Sequence, residues 1–223
     1  MSKFFAMESV GSPWGDYGDI LLNGLVEATE CVGPPIIRIL RTGPYVPPMT
    51  QPFGFIIVTD EFRRDLERSQ LTGFDFEQTQ YGKVVRLDWQ TWSTDTNEPM
   101  SYPETGEPED YILGCPHDPT LLAQMPRLWA LAVRPTPELQ VQGTHSFRAD
   151  RHPGTDIARE HTLHWVSERM KVWLERSSGS CPQAWCSWRS TAFAGWSRAC
   201  QLAIAVRLTF GSSLNGAMVS SVM

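Results

Sequence analysis

His161 and His164 lie near His152, Asp156 and Glu160, and these are residue types that could hold a metal ion or carry acid–base hydrolysis. A spacing of three puts both rings on one face of a helix but on opposite faces of a strand. Thr162-Leu163-His164-Trp165-Val166 alternates polar with apolar and reads as a strand, which separates the rings. A metal centre needs three or four converging ligands, so no metal is expected. A small hydrolase or metal-dependent enzyme with a site near His161 and His164 stands as the second functional reading. Cys181 and Cys186 have four residues between them and no matching second pair. Cys115 and His117 are held apart by Pro116. The chain has no Gly-x-Ser-x-Gly elbow, no Walker loop and no dinucleotide fingerprint, so no catalytic residue or cofactor is assigned. Carboxylates are plentiful, but no spacing singles out a hydrolytic pair.

The residues that stand out for binding are acidic. Asp95 to Asp110 is rich in Pro, Glu and Thr and reads as a polar loop. Its carboxylates are Asp95, Glu98, Glu104, Glu107, Glu109 and Asp110, framed by Tyr102, Tyr111, Trp89 and Trp92. Long loops carry function often, and aromatics set among acids suit a basic partner. Glu98, Tyr102, Glu104, Glu107, Glu109, Asp110 and Tyr111 are the expected partner-binding residues.

Charge and composition narrow the class. Hydrophobic residues at 41% and charged residues at 20% fit a globular chain with a real core. The net charge of −6 argues against phosphate backbones and anionic membrane surfaces as partners. Five cysteines, at irregular spacing, point to free thiols in a reducing compartment rather than a disulfide framework. The N-terminus lacks the apolar run of a signal peptide, and no stretch reaches the length of a membrane span. A cytoplasmic protein is expected.

The charge is unevenly distributed. From Ser177 to Met223 there is no Asp, Glu or Lys, and the charged residues are Arg189, Arg198 and Arg207. The expected division is an acidic α+β domain over residues 1–176, with two related halves near 1–115 and 116–176, and an atypical segment over 177–223. A docking tail, a membrane-associating segment or a C-terminus replaced by a frame change would each produce such a shift. An internal echo in the chain favours the third.

Val58-Thr59-Asp60-Glu61-Phe62-Arg63-Arg64-Asp65-Leu66-Glu67-Arg68 is echoed by Val166-Ser167-Glu168-Arg169-Met170-Lys171-Val172-Trp173-Leu174-Glu175-Arg176 at a constant offset of 108. Internal similarity of this kind implies paired supersecondary units. In the first copy Phe55 to Val58 reads as a short strand. Thr59 is placed to cap a helix, Asp60 and Glu61 suit its positive end, and Phe62 and Leu66 share a face. Gly73 would end that helix in a left-handed turn, and Phe74-Asp75-Phe76-Glu77 alternates as a strand. In the second copy Ser167 is the cap and Met170 and Leu174 the buried pair, with Trp173 beside them. The counterpart of the exit strand is missing from SSGSCPQAWCSWRS, which points to a replaced terminus.

The order of strand, Val-Thr/Ser-Asp/Glu-x-Phe/Met-Arg/Lys-x-x-Leu-Glu helix and Leu-Thr-Gly-Phe exit into a strand resembles immunity proteins of bacterial polymorphic toxin systems, of the myxobacterial type. The resemblance covers residues 55–77 and 163–176. It implies an α+β binding protein without an active site, which neutralises a cognate toxin by occlusion, with a basic toxin domain as partner. No partner-binding residue is carried over, because the matched positions look structural.

The positioning elements complete the expected fold: α+β, a mixed or antiparallel sheet with a few short helices and paired strand–helix–strand units. Ile20-Leu21-Leu22 and Ile36 to Leu40 read as strands, and Gly43 to Pro48 as extended chain. Lys83 to Trp89 reads as a strand paired with Phe74–Thr79. Pro119 to Leu131 reads as a helix capped by Asp118 and kinked or split by Pro126. Residues 134–156 read as a loop with a short strand near Gln140–Gln142.

Overall fold

The computed structural model describes residues 4–8, 12–29, 36–133, 154–160, 163–177 and 187–190. All of them belong to one unit, Met1–Thr191. The fold is α+β. Strands β1 (Phe4–Glu8), β2 (Leu25–Thr29), β3 (Ile36–Gly43), β4 (Met49–Thr50), β5 (Ile57–Thr59), β6 (Phe74–Gln78), β7 (Gln80–Arg86), β8 (Leu128–Val133), β9 (Ile157–Glu160), β10 (Leu163–Ser167) and β11 (Ser187–Ser190) form three sheets. Their orders are β4-β5-β8-β6, β9-β10-β1-β11 and β2-β3-β7. Helices are α1 (Asp16–Asn23), α2 (Asp60–Arg68), α5 (Glu168–Ser177) and the single turns α3 (Asp110–Leu113) and α4 (Pro119–Leu122).

The echo at offset 108 is a structural duplication. Met49 faces Val58 and Thr50 faces Ile57 in the first sheet. Ile157 faces Val166 and Ala158 faces Trp165 in the second, each pair shifted by 108. Thr59 N–H donates to Pro48 O, and Ser167 N–H to Asp156 O. Both hydroxyl caps form: Thr59 Oγ1 accepts from Phe62 N–H at 3.3 Å and Ser167 Oγ from Met170 N–H at 3.1 Å. Phe62 and Leu66 of α2, and Met170 and Leu174 of α5, are buried in one shared core with Val58 and Val166. Burying each such side chain contributes roughly 1.5–3 kcal/mol. Phe62 and Trp173 meet edge to face at 5.5 Å, so the two helices pack ring against ring. The likeness extends to the outer faces. Arg63 sits over Trp129 and bonds Glu67, and Lys171 sits over Phe5 and bonds Glu175.

The third strand neighbour closes each unit. β5 pairs β8 as β10 pairs β1: Thr59 with Leu128 and Ser167 with Phe4, Ile57 with Ala130 and Trp165 with Ala6. β6 then flanks β8, and β11 flanks β1. The second unit therefore has its exit strand, Ser187–Ser190, which corrects the expectation that it is missing. The sequence hides it because the strand starts beyond residue 186, where the offset of 108 would end it, and carries no acidic alternation.

Other elements also depart from the sequence reading. Ile20-Leu21-Leu22 is helical, not a strand. Asp16 and Asp19 occupy the first turn of α1, and Gly24 ends it with φ 75° and an N–H bond to Ile20 O. A three-residue apolar run cannot by itself fix the period. Helix α2 ends at Arg68 with Ser69 as its C-cap, four residues before Gly73. Gly73 keeps a φ of 103°, but there it lets the chain pass Ile157 O, which a Cβ would approach to 2.4 Å. β6 pairs with β8, not with β7. Only Thr79 separates β6 from β7, too little for a hairpin loop. Its Oγ1 bonds Leu128 O at 2.8 Å where the chain crosses to the third sheet, and β7 runs parallel to β3. Asp118 does cap α4, accepting from Leu121 N–H at 2.8 Å, but the helix stops at Leu122 and Leu128–Val133 is a strand. Pro126 separates the two. The expected strand near Gln140–Gln142 lies outside the described residues.

Candidate functional site: an acidic segment on an aromatic base

β8 is buried on both faces. Leu131 and Val133 face the shared core, while Leu128 and Ala130 face Ile37 and Ile39 of β3. The third sheet is thereby fixed against the first, and it carries α1, α3 and the acidic segment. Trp14, Leu21, Leu22, Trp89 and Tyr111 form a buried cluster, with Tyr17, Tyr45, Leu87 and Trp92 packed against it. Trp14 meets Trp89 at 6.4 Å and Trp92 at 5.8 Å, and Trp92 meets Tyr111 at 6.1 Å.

This cluster holds the acidic segment along its length. Trp14 Nε1–H donates to Ser93 O at 3.1 Å. Tyr111 O–H donates to Ser101 O, and Tyr17 O–H to Gly106 O. Thr105 Oγ1–H donates to Asp110 Oδ2 at the start of α3, while Ile112 of α3 is buried beneath Leu25 and Leu40. A loop of this length gains a defined shape from such anchors, at a lower entropy cost when a partner docks.

Of the residues expected to bind a partner, Glu98, Glu104 and Glu107 are exposed, and Glu109 and Asp110 are half-buried. Tyr102 is 47% exposed and stands edge-on to Tyr17 at 5.3 Å. Partial desolvation and then a hydrogen bond to Glu98 push its hydroxyl up to about 12, so it donates to that carboxylate at neutral pH. Tyr111 is 5% exposed and packs inside the cluster, where burial raises its hydroxyl above the ordinary range. Its place is beneath the surface, as an anchor of the segment. Trp89 is buried in the same way. Met100 and Leu113, 68% and 50% exposed, add apolar area to the surface. Trp14 and Tyr17 were missed by sequence reasoning. The signal was the Pro13-Trp14-Gly15-Asp16-Tyr17 run, in which aromatics alternate with turn residues.

The histidine region is built differently. His164 lies in β10, faces Arg159 and Met7 in the sheet register, and is 4% exposed. Burial, followed by the charge of Arg159, lowers its imidazole to about 4, so it is a neutral core residue near pH 7. Asp156 accepts from Thr72 N–H at 2.9 Å, Thr72 Oγ1 at 3.1 Å, Ser167 Oγ at 2.8 Å and Arg169 Nη2 at 2.9 Å. These bonds tie the exit of one unit to the helix cap of the other. Glu160 ends β9. His161, His152, Cys181 and Cys186 lie outside the described residues. Among the described residues no three His, Cys, Asp or Glu side chains converge as metal ligands.

Arg41 is the one fully buried cation among the described residues. It donates to Leu22 O, Thr42 O and Tyr45 O at 3.2–3.5 Å. Burial lowers it to about 10, against the opposing influence of Tyr81 and Tyr45. Placed at the C-terminus of α1, it answers the Leu22 carbonyl of the helix's last turn and the negative end of its dipole. Its role is to position α1 beneath the acidic segment.

No protein-family model and no curated protein sequence matches the chain. Among the described residues no helix is long and apolar enough to cross a membrane.

Proposed function

We propose that this chain is a non-catalytic protein-binding protein of the cytoplasm, of the toxin-immunity kind, that covers a basic protein partner with its acidic segment. The observation that carries this reading is the mounting of Glu98, Tyr102, Glu104 and Glu107. Three exposed carboxylates and a half-exposed ring sit on a segment held by Trp14, Tyr17 and Tyr111. Charges of one sign accelerate encounter with a cationic face, and a pre-shaped aromatic gives such a contact its anchor. A toxin nuclease, whose own site must attract phosphate, presents a face of that kind. The resemblance of residues 55–77 and 163–176 to immunity proteins favours the same class.

The test is capture by the tagged chain from lysate of its source cell, beside a variant carrying Glu98→Lys, Glu104→Lys and Glu107→Lys. A stoichiometric basic protein, retained by the parent chain, released by salt and lost with the variant, supports the reading. A partner retained equally by both overturns the surface assignment. An acidic partner overturns the proposed complementarity.

A further inference from the structure

In the order β2-β3-β7, β7 is an edge strand, and an open edge is a hazard that folds commonly cover. Here the covering is made by a histidine and its neighbour. Val84 N–H donates to His117 Nδ1 at 3.0 Å, and Asp118 N–H donates to Val84 O at 2.8 Å. Both outward groups of Val84 are met as a neighbouring strand would meet them. Two further ties hold the same segment: Lys83 Nζ to Leu113 O at 2.8 Å, and Arg86 to Asp118 at 2.9 Å.

An imidazole nitrogen accepts a hydrogen bond only while it carries no proton; the imidazolium ion has two donors and no acceptor. The ring of His117 is exposed and reachable by solvent. The charged and titratable groups on the elements tied to its segment are Lys83 of β7, bonded to Leu113 O, Arg86 of β7, bonded to Asp118, Asp110 of α3, and Cys115 in the segment itself. Asp118 is held below the usual carboxylate range, first by Leu121 N–H and then by Arg86, so it keeps its charge while imidazoles titrate.

We infer that His117 is a pH-sensitive latch: neutral, it closes residues 114–118 over the β7 edge, and protonated, it sets N–H against N–H and releases them. Residues 114–118 continue directly from α3, whose first residue, Asp110, ends the acidic segment, so acid loosens that end of the surface. This regulatory consequence rests on the reading of the acidic segment as a recognition site. The latch itself does not.

The experiment is amide hydrogen exchange at Val84 in the full chain without a partner, at about pH 7.5 and about pH 5.5, corrected for intrinsic exchange. The comparison set is His117→Asn, whose carbonyl accepts without titrating, and His117→Ala. Protection of Val84 in the parent chain should fall about tenfold in acid, the scale of one hydrogen bond. With Asn it should stay level, and with Ala it should be low at both values. Level protection in the parent chain, or an equal acid loss with Asn, overturns the latch. Because Val84 is read without a partner, neither result depends on whether the acidic segment binds one.

Discussion

The two helix caps are matched in position but not in bonding, and this makes a quantitative test. Thr59→Ala removes one acceptor, bonded by Phe62 N–H at 3.3 Å, and loss of an N-cap side chain costs roughly 1 kcal/mol. Ser167→Ala removes the equivalent acceptor from Met170 N–H and also the donor to Asp156 Oδ1 at 2.8 Å. Asp156 is 8% exposed, and a bond to a charged group contributes about 1.5–3 kcal/mol. Ser167→Ala should therefore cost roughly 2.5–4 kcal/mol, several times the loss at Thr59. Urea unfolding followed by tryptophan fluorescence reads both, with unchanged m-values as the control for an intact transition. Asp156→Asn closes a double-mutant cycle. It should couple to Ser167→Ala by about 1–2 kcal/mol and to Thr59→Ala by near zero, since the Thr59 cap bond stays within its own helix. Equal losses at the two caps, or no coupling between Ser167 and Asp156, would refute the view that this carboxylate joins the two units.

Three further outcomes concern buried or strained groups. His164 has a folded-state value lowered to about 4 from 6.5, so the unfolded chain binds its proton first and stability is lost as pH falls from 6.5 towards 4. The loss is about 2–3 kcal/mol, and urea midpoints across that range should flatten with His164→Gln. For Arg41, Met removes a buried charge whose three carbonyl bonds are long, whereas Lys keeps the charge but cannot span those carbonyls. Arg41→Met should be the more stable of the two variants, and the reverse order of urea midpoints would contradict this account. Phe53 holds a φ of 47° with its ring 67% exposed, so Phe53→Gly should raise stability by about 0.5–1 kcal/mol in the same assay. A loss would mean that the ring makes a contact that matters.

The parts of this fold legible in the sequence were those where two independent signals agreed. At Thr59 to Leu66, a capping hydroxyl, acids in the first turn and a four-residue apolar spacing all named the same helix. At Asp118 the cap was equally clear, but the apolar residues beyond it, Leu128 and Trp129, belong to a strand. Neither a helix nor a strand pattern is excluded by leucines on both sides of a proline. Ile20 to Leu22 failed for the same reason. Strand partners were less legible still, because register is set by tertiary packing. Thr79 alone decides that β6 and β7 part into different sheets. The acidic surface was readable as composition, yet the burial of Tyr111 and the supports from Trp14 and Tyr17 were not. Those depend on contacts between residues about ninety positions apart.

The duplication separates scaffold from surface. In the first unit the strand between β5 and β6 is β8, which comes after β6 along the chain. In the second unit the same place is filled by β1, at the other end of the chain. Residues 79–127, between β6 and β8, therefore have no counterpart among the described residues of the second unit. That stretch carries β7, α3, the His117 contact and every residue of the acidic surface. The matched bonds, caps and cations of the two units instead recur at offset 108, with the rings under the cations supplied by Trp129 of β8 and Phe5 of β1. Side chains that repeat are explained by packing, since both units need them. Side chains without a counterpart need a separate cause, and exposed carboxylates on a braced loop add little to stability. Recognition is the cause we propose for them, and on that reading it belongs to a stretch that has no match among the described residues of the second unit.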